Sequence, residues 1–303
     1  MEAKRTVGLC GIACDAGAAH LGARMGPEAM RVAGISPLLQ GHHYHVKDYG
    51  DVHQIPCETG SSEKKLNNLS SVVDGNRQLF ERVLQILHSG EIPLVMGGDH
   101  SFALGSIGAV STYCHKHSIP LKVIWFDAHA DFNSPESSPS GNIHGMVVRL
   151  LTGEGAKELL DIIAPHGYVK EGDIYQLGIR SIDMEEKIAL QKSGLHVYEM
   201  SQVNRKGIGS IIKSIVADCE PNTHIHVSFD VDGLDPIYAP GVGTTEFGGL
   251  SYSQASQALS ILGESGLVGS IDVFELNPAL DVRNQTAKVM TQLMGTLLPP
   301  AFT

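Results

Sequence analysis

Apolar residues fall along this chain in two rhythms. Short, nearly continuous runs occupy residues 7–13 (Val-Gly-Leu-Cys-Gly-Ile-Ala), 92–96, 121–126, 174–179, 195–198, 224–229 and 267–274. Runs of that length, bounded by turn residues, predict strands buried on both faces. Residues 42–48 (His-His-Tyr-His-Val-Lys-Asp) are more polar and predict a short strand at the surface or the sheet edge. Between the runs the spacing becomes helical. Leu79, Phe80, Val83, Leu84, Ile86 and Leu87 share one helical face, and His88-Ser89-Gly90 ends that helix with a glycine at the cap. Further helices are predicted from Gly26-Pro27-Glu28, where proline sits just inside the start, after Ser101, from about Ile143, after Asp183, and over 208–217, 251–262 and 284–297. The polar, Ser/Asn-rich stretch 51–70 predicts a loop. Strands alternating with helices give βαβ units and a mainly parallel α/β sheet covered on both faces. No linker or composition break divides the pattern, so residues 1–303 are expected to form one domain.

Polar clusters interrupt the pattern at one kind of place. Residues 97–101 (Gly-Gly-Asp-His-Ser), 127–131 (Asp-Ala-His-Ala-Asp), 180–183, 230–236 and Glu275 each follow a predicted strand. Ligands of open parallel sheets bind at the carboxyl ends of strands. In an extended chain Asp127, His129 and Asp131 project to one side, with only Ala128 and Ala130 between them. Alone, that pattern serves turn caps as well as metal. Asp230-Val231-Asp232 repeats the spacing, and His100 follows a double glycine that lets backbone pass close to another group. His100, Asp127, His129, Asp131, Asp230 and Asp232 together are too many donors for one small ion. They suit two ions about 3.5–4 Å apart, bridged by carboxylates. Oxygen-rich ligation with imidazole and no thiolate favours Mn²⁺ over zinc or copper. Four carboxylates would offset two divalent ions, and a water bridging those ions would be acidic enough to yield hydroxide near neutral pH. Asp99 and Asp235 stand beside this set. Asp99 is off the His100 side and Asp235-Pro236 has turn chemistry, though either could partner a ligating histidine.

Composition narrows the function classes. Of 303 residues 42% are hydrophobic and 18% charged, an ordinary globular balance. The formal net charge of −11 argues against a nucleic-acid surface and leaves room for a small cationic substrate. Cys10, Cys14, Cys57, Cys114 and Cys219 are odd in number and irregularly spaced, as expected of a reduced intracellular protein. Cys10 and Cys14 are expected to be two small buried residues. The N-terminus lacks a signal-peptide core and no window has the length of a membrane span, so a cytoplasmic protein with no membrane partner is expected. Asn68-Leu69-Ser70 fits a glycosylation sequon that carries no meaning without secretion, and the histidines at 42, 43 and 45 have no carboxylate partners for a metal.

Three stretches together resemble the signatures of the ureohydrolase family, which holds arginases, agmatinases and formimidoylglutamases. They are Gly-Gly-Asp-His-Ser (97–101), Asp-Ala-His-Ala-Asp (127–131) and Ser-Phe-Asp-Val-Asp-Gly-Leu-Asp-Pro (228–236). The resemblance runs from Gly26-Pro27-Glu28 to Glu275-Leu276-Asn277-Pro278. It implies a single three-layer α/β/α sandwich with a dimanganese site, two Mn²⁺ per chain, at its edge. In that reading Asp127 and Asp230 bridge the ions, His100 and Asp131 complete one, and His129 and Asp232 the other. A hydroxide bridging the ions would attack a guanidinium carbon and urea would leave. His144, Glu275 and Asp131 would be the catalytic residues, with His144 as proton shuttle and Glu275 pairing with the guanidinium. Asn133 and Ser140-Gly141-Asn142-Ile143-His144-Gly145 resemble the arginase form of the substrate loop. There Asn133, Ser140 and Asn142 meet the α-carboxylate and Asp183 helps hold the α-amino group. Thr244 would line the same pocket. The implied reaction is hydrolysis of L-arginine to L-ornithine and urea, with agmatinase or formimidoylglutamase as the alternative.

The run Ser134-Pro-Glu-Ser-Ser-Pro139 departs from the family's threonine-rich loop, and the chain stops at Thr303, short of the tail that braces some animal trimers. A homo-oligomer, trimer or hexamer, is expected. Two readings from other classes predict different residues or metal. A catalytically dead, metal-stabilised assembly protein should have lost a ligand, His144 or Glu275. A deacetylase-like enzyme of the same sheet architecture would use one zinc.

Overall fold

All eight strand predictions become strands, and all join one sheet. The computed structural model describes residues 5–52 and 66–300. The strands are β1 (Thr6–Gly11), β2 (His45–Asp51), β3 (Ile92–Met96), β4 (Leu121–Phe126), β5 (Ile174–Ile179), β6 (His196–Glu199), β7 (His224–Asp230) and β8 (Val268–Phe274). Their order is β2-β1-β3-β8-β7-β4-β5-β6, and every pairing is parallel. The helices are α1 (Gly26–Val32), α2 (Ile35–Gly41), α3 (Leu69–His88), α4 (Ala103–His117), α5 (Val147–Leu151), α6 (Lys157–Ile163), α7 (Met184–Lys192), α8 (Met200–Lys206), α9 (Ile208–Ala217), α10 (Tyr252–Glu264) and α11 (Gln285–Leu297).

Two apolar cores sandwich the sheet. Leu9, Ile124, Phe126, Val227 and Val273 pack with residues of α1, α2, α8, α9, α10 and α11. Cys10, Val123, Trp125, Ile174 and Phe274 pack with α3, α4, α5 and α6 on the other face. Successive strand residues alternate between the two cores, as a pleated chain must. Continuous apolar runs are therefore required here, since neither face of the central strands meets water. The result is a three-layer α/β/α sandwich. Among the described residues, no helix is long and apolar enough to cross a membrane.

One polar chain crosses the interior. Ser106 on α4 donates to Asp272 Oδ1 (2.6 Å), whose Oδ2 lies 3.0 Å from His226 Nε2. His226 Nδ1 lies 2.8 Å from Ser270 Oγ, which also meets His224 at 2.7 Å. Each buried polar group thus has a partner, which is what lets it be buried.

Some predicted boundaries move. The edge strand runs His45–Asp51 rather than 42–48, because His42 caps α2 and its Nδ1 lies 2.9 Å from the Leu298 carbonyl oxygen. In place of a helix from Ile143, a single 3-10 turn (Ile143–Met146) leads into the five-residue α5. The helix before Gly90 begins at Leu69, inside the predicted loop 51–70, and residues 53–65 and Cys57 lie outside the described residues. Asn68 of the sequon donates its amide to the Ala16 carbonyl. Helices α2, α6 and α8 have seven residues each, too few turns for periodicity to register.

Candidate active site

Strands β3, β8, β7 and β4 are neighbours at the centre of the sheet, and their carboxyl ends place His100, Glu275, Asp230 and Asp127 side by side. Glycine makes the first of these possible. A Cβ on Gly98 would lie 1.5 Å from the Cys14 carbonyl oxygen, so only glycine lets β3 turn there. Asp99 then caps the turn, accepting the Ser101 and Gly17 backbone N–H groups at 2.9 Å each. It holds backbone and does not partner a ligating histidine. Asp235 likewise accepts the Ile237 N–H within its own turn and the Gly248 N–H from thirteen residues on.

The His100 ring points Nδ1 at three carboxylates: Asp230 at 2.9 Å, Asp127 at 3.3 Å and Asp131 at 3.6 Å. Its Nε2 is held by Ser228 Oγ at 3.0 Å, and its face stacks on Trp125 at 4.0 Å between centroids. Trp125 also donates Nε1–H to Asp127 Oδ2 at 2.8 Å, so one side chain aims two donors. On the far side of Asp127, His129 Nδ1 lies 3.1 Å from Asp232 and 3.6 Å from Asp127 Oδ1. Two donor sets result, His100 with Asp127 and Asp230, and His129 with Asp127 and Asp232, each with its atoms within 4.8 Å of one another. Asp127 belongs to both. Thr244 donates its hydroxyl to Asp232 Oδ2 at 2.9 Å, and the Ala128 N–H reaches Asp232 Oδ1 at 3.1 Å.

The pleat argument for Asp127, His129 and Asp131 does not describe how they meet. Strand β4 ends at Phe126, and Asp131 has a left-handed φ of 50°. Asp232 likewise lies in a 3-10 turn, whose start Asp230 caps by accepting the Asp232 N–H at 2.9 Å. The spacing brings the groups together through turns rather than through extended strand. Glu275 is also left-handed, at φ 65°. A non-glycine residue held there costs about 1–3 kcal/mol, a strain that clusters at functional sites.

The electrostatics of the cluster fit cations. Burial, and then the charges of neighbouring carboxylates, push Asp131 and Asp230 well above the usual carboxylate range. Burial opposes the charged form of Asp127 as well, but hydrogen bonds with His100 and His129 hold its pKa low. Both imidazoles are raised in spite of burial, through Asp127 for His100 and through Asp232 and Asp127 for His129. Four buried carboxylates facing two imidazoles thus need protons or cations to balance their charge. Oxygen donors with nitrogen and no sulfur are what hard or borderline divalent cations take.

Glu275 Oε1 accepts the His100 backbone N–H at 2.8 Å and meets His144 Nδ1 at 3.1 Å, so His144 donates from Nδ1. Burial works against a charged His144, yet the hydrogen bond and charge of Glu275, with Asp99 behind, raise its pKa above the ordinary imidazole value. Burial raises and His144 lowers the pKa of Glu275, with a net lowering. The imidazole therefore tends to keep its proton and the carboxylate to lose its own.

A cavity of about 260 Å³ adjoins the cluster, lined by His129, Asp131 and Asp230 and also by Asn133, Ser140, Asn142, His144, Asp183 and Thr244. Its size is at the small end for ligand pockets, which run ~300–1,000 Å³. Hydrogen bonds fix what the loop presents. Asn67 Nδ2 donates to Asn142 Oδ1 at 2.8 Å, which leaves the Asn142 amide nitrogen for the cavity. Ser140 Oγ accepts the Asn142 N–H at 3.2 Å, so its own hydroxyl proton is left to donate. Asn133 Oδ1 accepts from Ser137 at 2.9 Å while its Nδ2 reaches Asp183 Oδ2 at 3.1 Å. Ser140 and Asn142 thus offer donors, which suit an anion, and Asp183 offers a carboxylate.

Several residues of this arrangement were not singled out in the sequence. Trp125 and Ser228 each stand two positions before an aspartate, Asp127 just past the end of β4 and Asp230 at the end of β7. Glu186, which accepts the Phe132 N–H at 2.8 Å beside the cavity, carries only a capping-box signal. Arg180 Nη2 collects the carbonyl oxygens of Asp232 (2.6 Å) and Glu246 (2.8 Å), tying two loops of the site together; its place in the 180–183 cluster was visible in the sequence, but not this role.

Fold and site define a class: an α/β/α sandwich whose central sheet edge carries a buried histidine–aspartate cluster fit for metal, next to a small polar cavity. The profile of the arginase family matches residues 5–299. The arginase of Bacillus caldovelox is 39% identical over 296 residues, 97% of this chain and 98% of that one. A solved structure of that arginase superposes with a TM-score of 0.91 at 38% identity, covering 99% and 100% of the two chains. The Entamoeba histolytica arginase, solved in complex with L-ornithine, superposes with a TM-score of 0.89 at 29% identity over 97% and 98%. The chain belongs to the arginase family, and it is a hydrolase of that family.

Proposed function

We propose that this hydrolase cleaves L-arginine to L-ornithine and urea, using two Mn²⁺ ions held at the sheet edge. The observation that carries the reading is the shared cavity: one space is lined both by cluster residues His129, Asp131 and Asp230 and by Ser140, Asn142 and Asp183. His100, Asp127, His129, Asp131, Asp230 and Asp232 would hold the ions. When bound, the ions supply the Lewis acidity that deprotonates water near neutral pH.

The chain's own residues do the rest. Ser140 and Asn142 take the α-carboxylate and Asp183 the α-ammonium, which fixes the side chain's reach. Glu275, with Oε1 occupied by His100 and His144, has Oε2 for the guanidinium, and that hold aims the central carbon. The oxygen of a deprotonated water adds to that carbon, the bond from the carbon to the ε-nitrogen breaks to give urea, and the leaving amine of ornithine needs a proton. His144, hydrogen-bonded through Nδ1 and raised in pKa, would supply it from Nε2. Agmatine lacks the carboxylate that the Ser140/Asn142 donors would meet, so it is the poorer substrate.

We further read the chain as one domain over residues 1–303, in the cytosol, assembled as a trimer or hexamer. The thiols of Cys10, Cys114 and Cys219 are in no disulfide, which supports a reducing compartment, and exposed Ile237 and Phe247 offer apolar surface for a partner copy. The test of the activity is urea release from L-arginine and from agmatine, and glutamate release from formimidoylglutamate, with Mn²⁺ present. L-arginine is expected to be preferred by at least about a hundredfold over agmatine, the scale of losing a carboxylate's charged hydrogen bonds. Preference for either other substrate would sink the proposal.

A further inference from the structure

Among the described residues, one residue holds the carboxylate-binding loop from outside. Residues 132–142 form no helix or strand, and the hydrogen bonds within 138–142 are local serine turns, Gly141 N–H to Ser138 Oγ and Asn142 N–H to Ser140 Oγ. Among the described residues, Asn67 is the one residue outside the loop that hydrogen-bonds to 138–142. It does so at three consecutive positions. Its Nδ2 donates to the Ser140 carbonyl at 3.0 Å and to Asn142 Oδ1 at 2.8 Å, and its backbone N–H donates to the Gly141 carbonyl at 3.0 Å. Asn67 itself is solvent-exposed, immediately ahead of α3.

The chemistry of these bonds fixes an orientation. The Ser140 carbonyl can only accept, so the Asn67 atom facing it is nitrogen. The Asn142 atom facing that same nitrogen must then be its oxygen. With Oδ1 turned toward Asn67, Asn142 has its NH₂ for the cavity it lines. Free to rotate, the Asn142 amide would present its oxygen to a carboxylate in part of the population, and that population would repel the ligand.

We infer that Asn67 is a positioning residue for substrate selection, holding the Ser140–Asn142 loop with its donors aimed at the α-carboxylate. The inference rests on the L-arginine reading above. It makes no contact with the reacting atoms necessary, so it separates binding from turnover. Asn67→Ala removes the two side-chain bonds, keeps the backbone bond to Gly141, and lets the Asn142 amide rotate. Asn67→Asp keeps the size but sets a carboxylate against Asn142 Oδ1, which drives the amide to turn its nitrogen toward residue 67 and its oxygen toward the substrate.

The experiment uses the Mn²⁺-loaded full chain and reads KM and kcat for L-arginine, with inhibition constants for L-ornithine and for 1,4-diaminobutane, which lacks the carboxylate. Asn67→Ala is expected to raise KM and the L-ornithine inhibition constant about tenfold, with kcat and the diaminobutane constant within about twofold. Asn67→Asp is expected to be worse than Asn67→Ala on the first pair and equally silent on the second. Unchanged KM in both variants overturns the inference. So does equal weakening of both inhibitors, since that marks a loop disordered in general. A wild-type chain that does not turn over L-arginine overturns the substrate reading instead, and the two failures are thereby distinguished.

Discussion

Single side chains in this protein are held by atoms on several sides, and the effect of losing one depends on which side is lost. His144 is the clearest case. It touches Glu275 through Nδ1 and no residue of the two donor sets. His144→Gln is expected to lower kcat about 10²–10⁴-fold, the usual scale of a lost general acid, while the manganese content of the purified protein stays as in the wild type. A variant that loses metal together with activity would show that the imidazole is structural. Asp15 is a stability counterpart. It is fully buried, accepts the Gly22 N–H at 2.7 Å and pairs with the Arg24 guanidinium; burial raises its pKa, but those bonds outweigh it and leave the group below its usual value. A lowered carboxyl stabilises the fold above its unfolded pKa of about 4 and loses that contribution as pH falls through its folded value. Asp15→Asn should therefore unfold more easily than wild type at neutral pH and converge with it in acid, as read by denaturant midpoints across pH. The thiols complete this scale. Burial raises Cys10, and pushes Cys114 up to about 12, so both should resist alkylation at neutral pH until the chain unfolds.

At the scale of elements, the short apolar runs announced their strands because a strand buried on both faces has no polar side to show. Val123 and Trp125 enter one core while Ile124 and Phe126 enter the other, and all four must be apolar. Short helices without a start signal were not legible, since seven residues such as Lys157–Ile163 make barely two turns, whereas Pro27 announced the equally short α1. The six metal-type residues were legible by residue type and by position after strands, but not the way they meet, because left-handed Asp131 and the turn at Asp232 are set by packing around them. Asn67 lay inside a stretch read as loop, and its reach to Ser140 and Asn142 spans more than seventy residues of sequence, with separations of 73 and 75. No local pattern encodes such a contact. The chain Ser106–Asp272–His226 is a second device of this kind, linking α4 to β7 and β8 beneath the site. Asp272→Ala would strand a buried imidazole and a buried hydroxyl. It should cost about 3 kcal/mol in equilibrium unfolding, whereas an exposed carboxylate such as Glu28 should cost near nothing.

On the scale of the molecule, the order β2-β1-β3-β8-β7-β4-β5-β6 brings four polar strand ends together that are far apart in sequence, His100, Asp127, Asp230 and Glu275. The sheet is the scaffold, and the unbalanced buried carboxylates are what it sacrifices for function. Cations should return part of that stability. Raising Mn²⁺ should raise the thermal midpoint until the sites fill, and a chelator should lower it, because a ligand that binds only the folded state stabilises it by mass action. The central claim is that the cluster sharing Asp127 is a two-ion centre that drives guanidinium hydrolysis. Its most direct test is metal content per chain after Mn²⁺ loading and desalting, measured beside urea release from L-arginine. The account predicts two ions per chain, urea release abolished by chelation and restored by Mn²⁺, and loss of both ions in Asp127→Ala. Full activity with one ion per chain, or urea release that persists in metal-free protein, would contradict it.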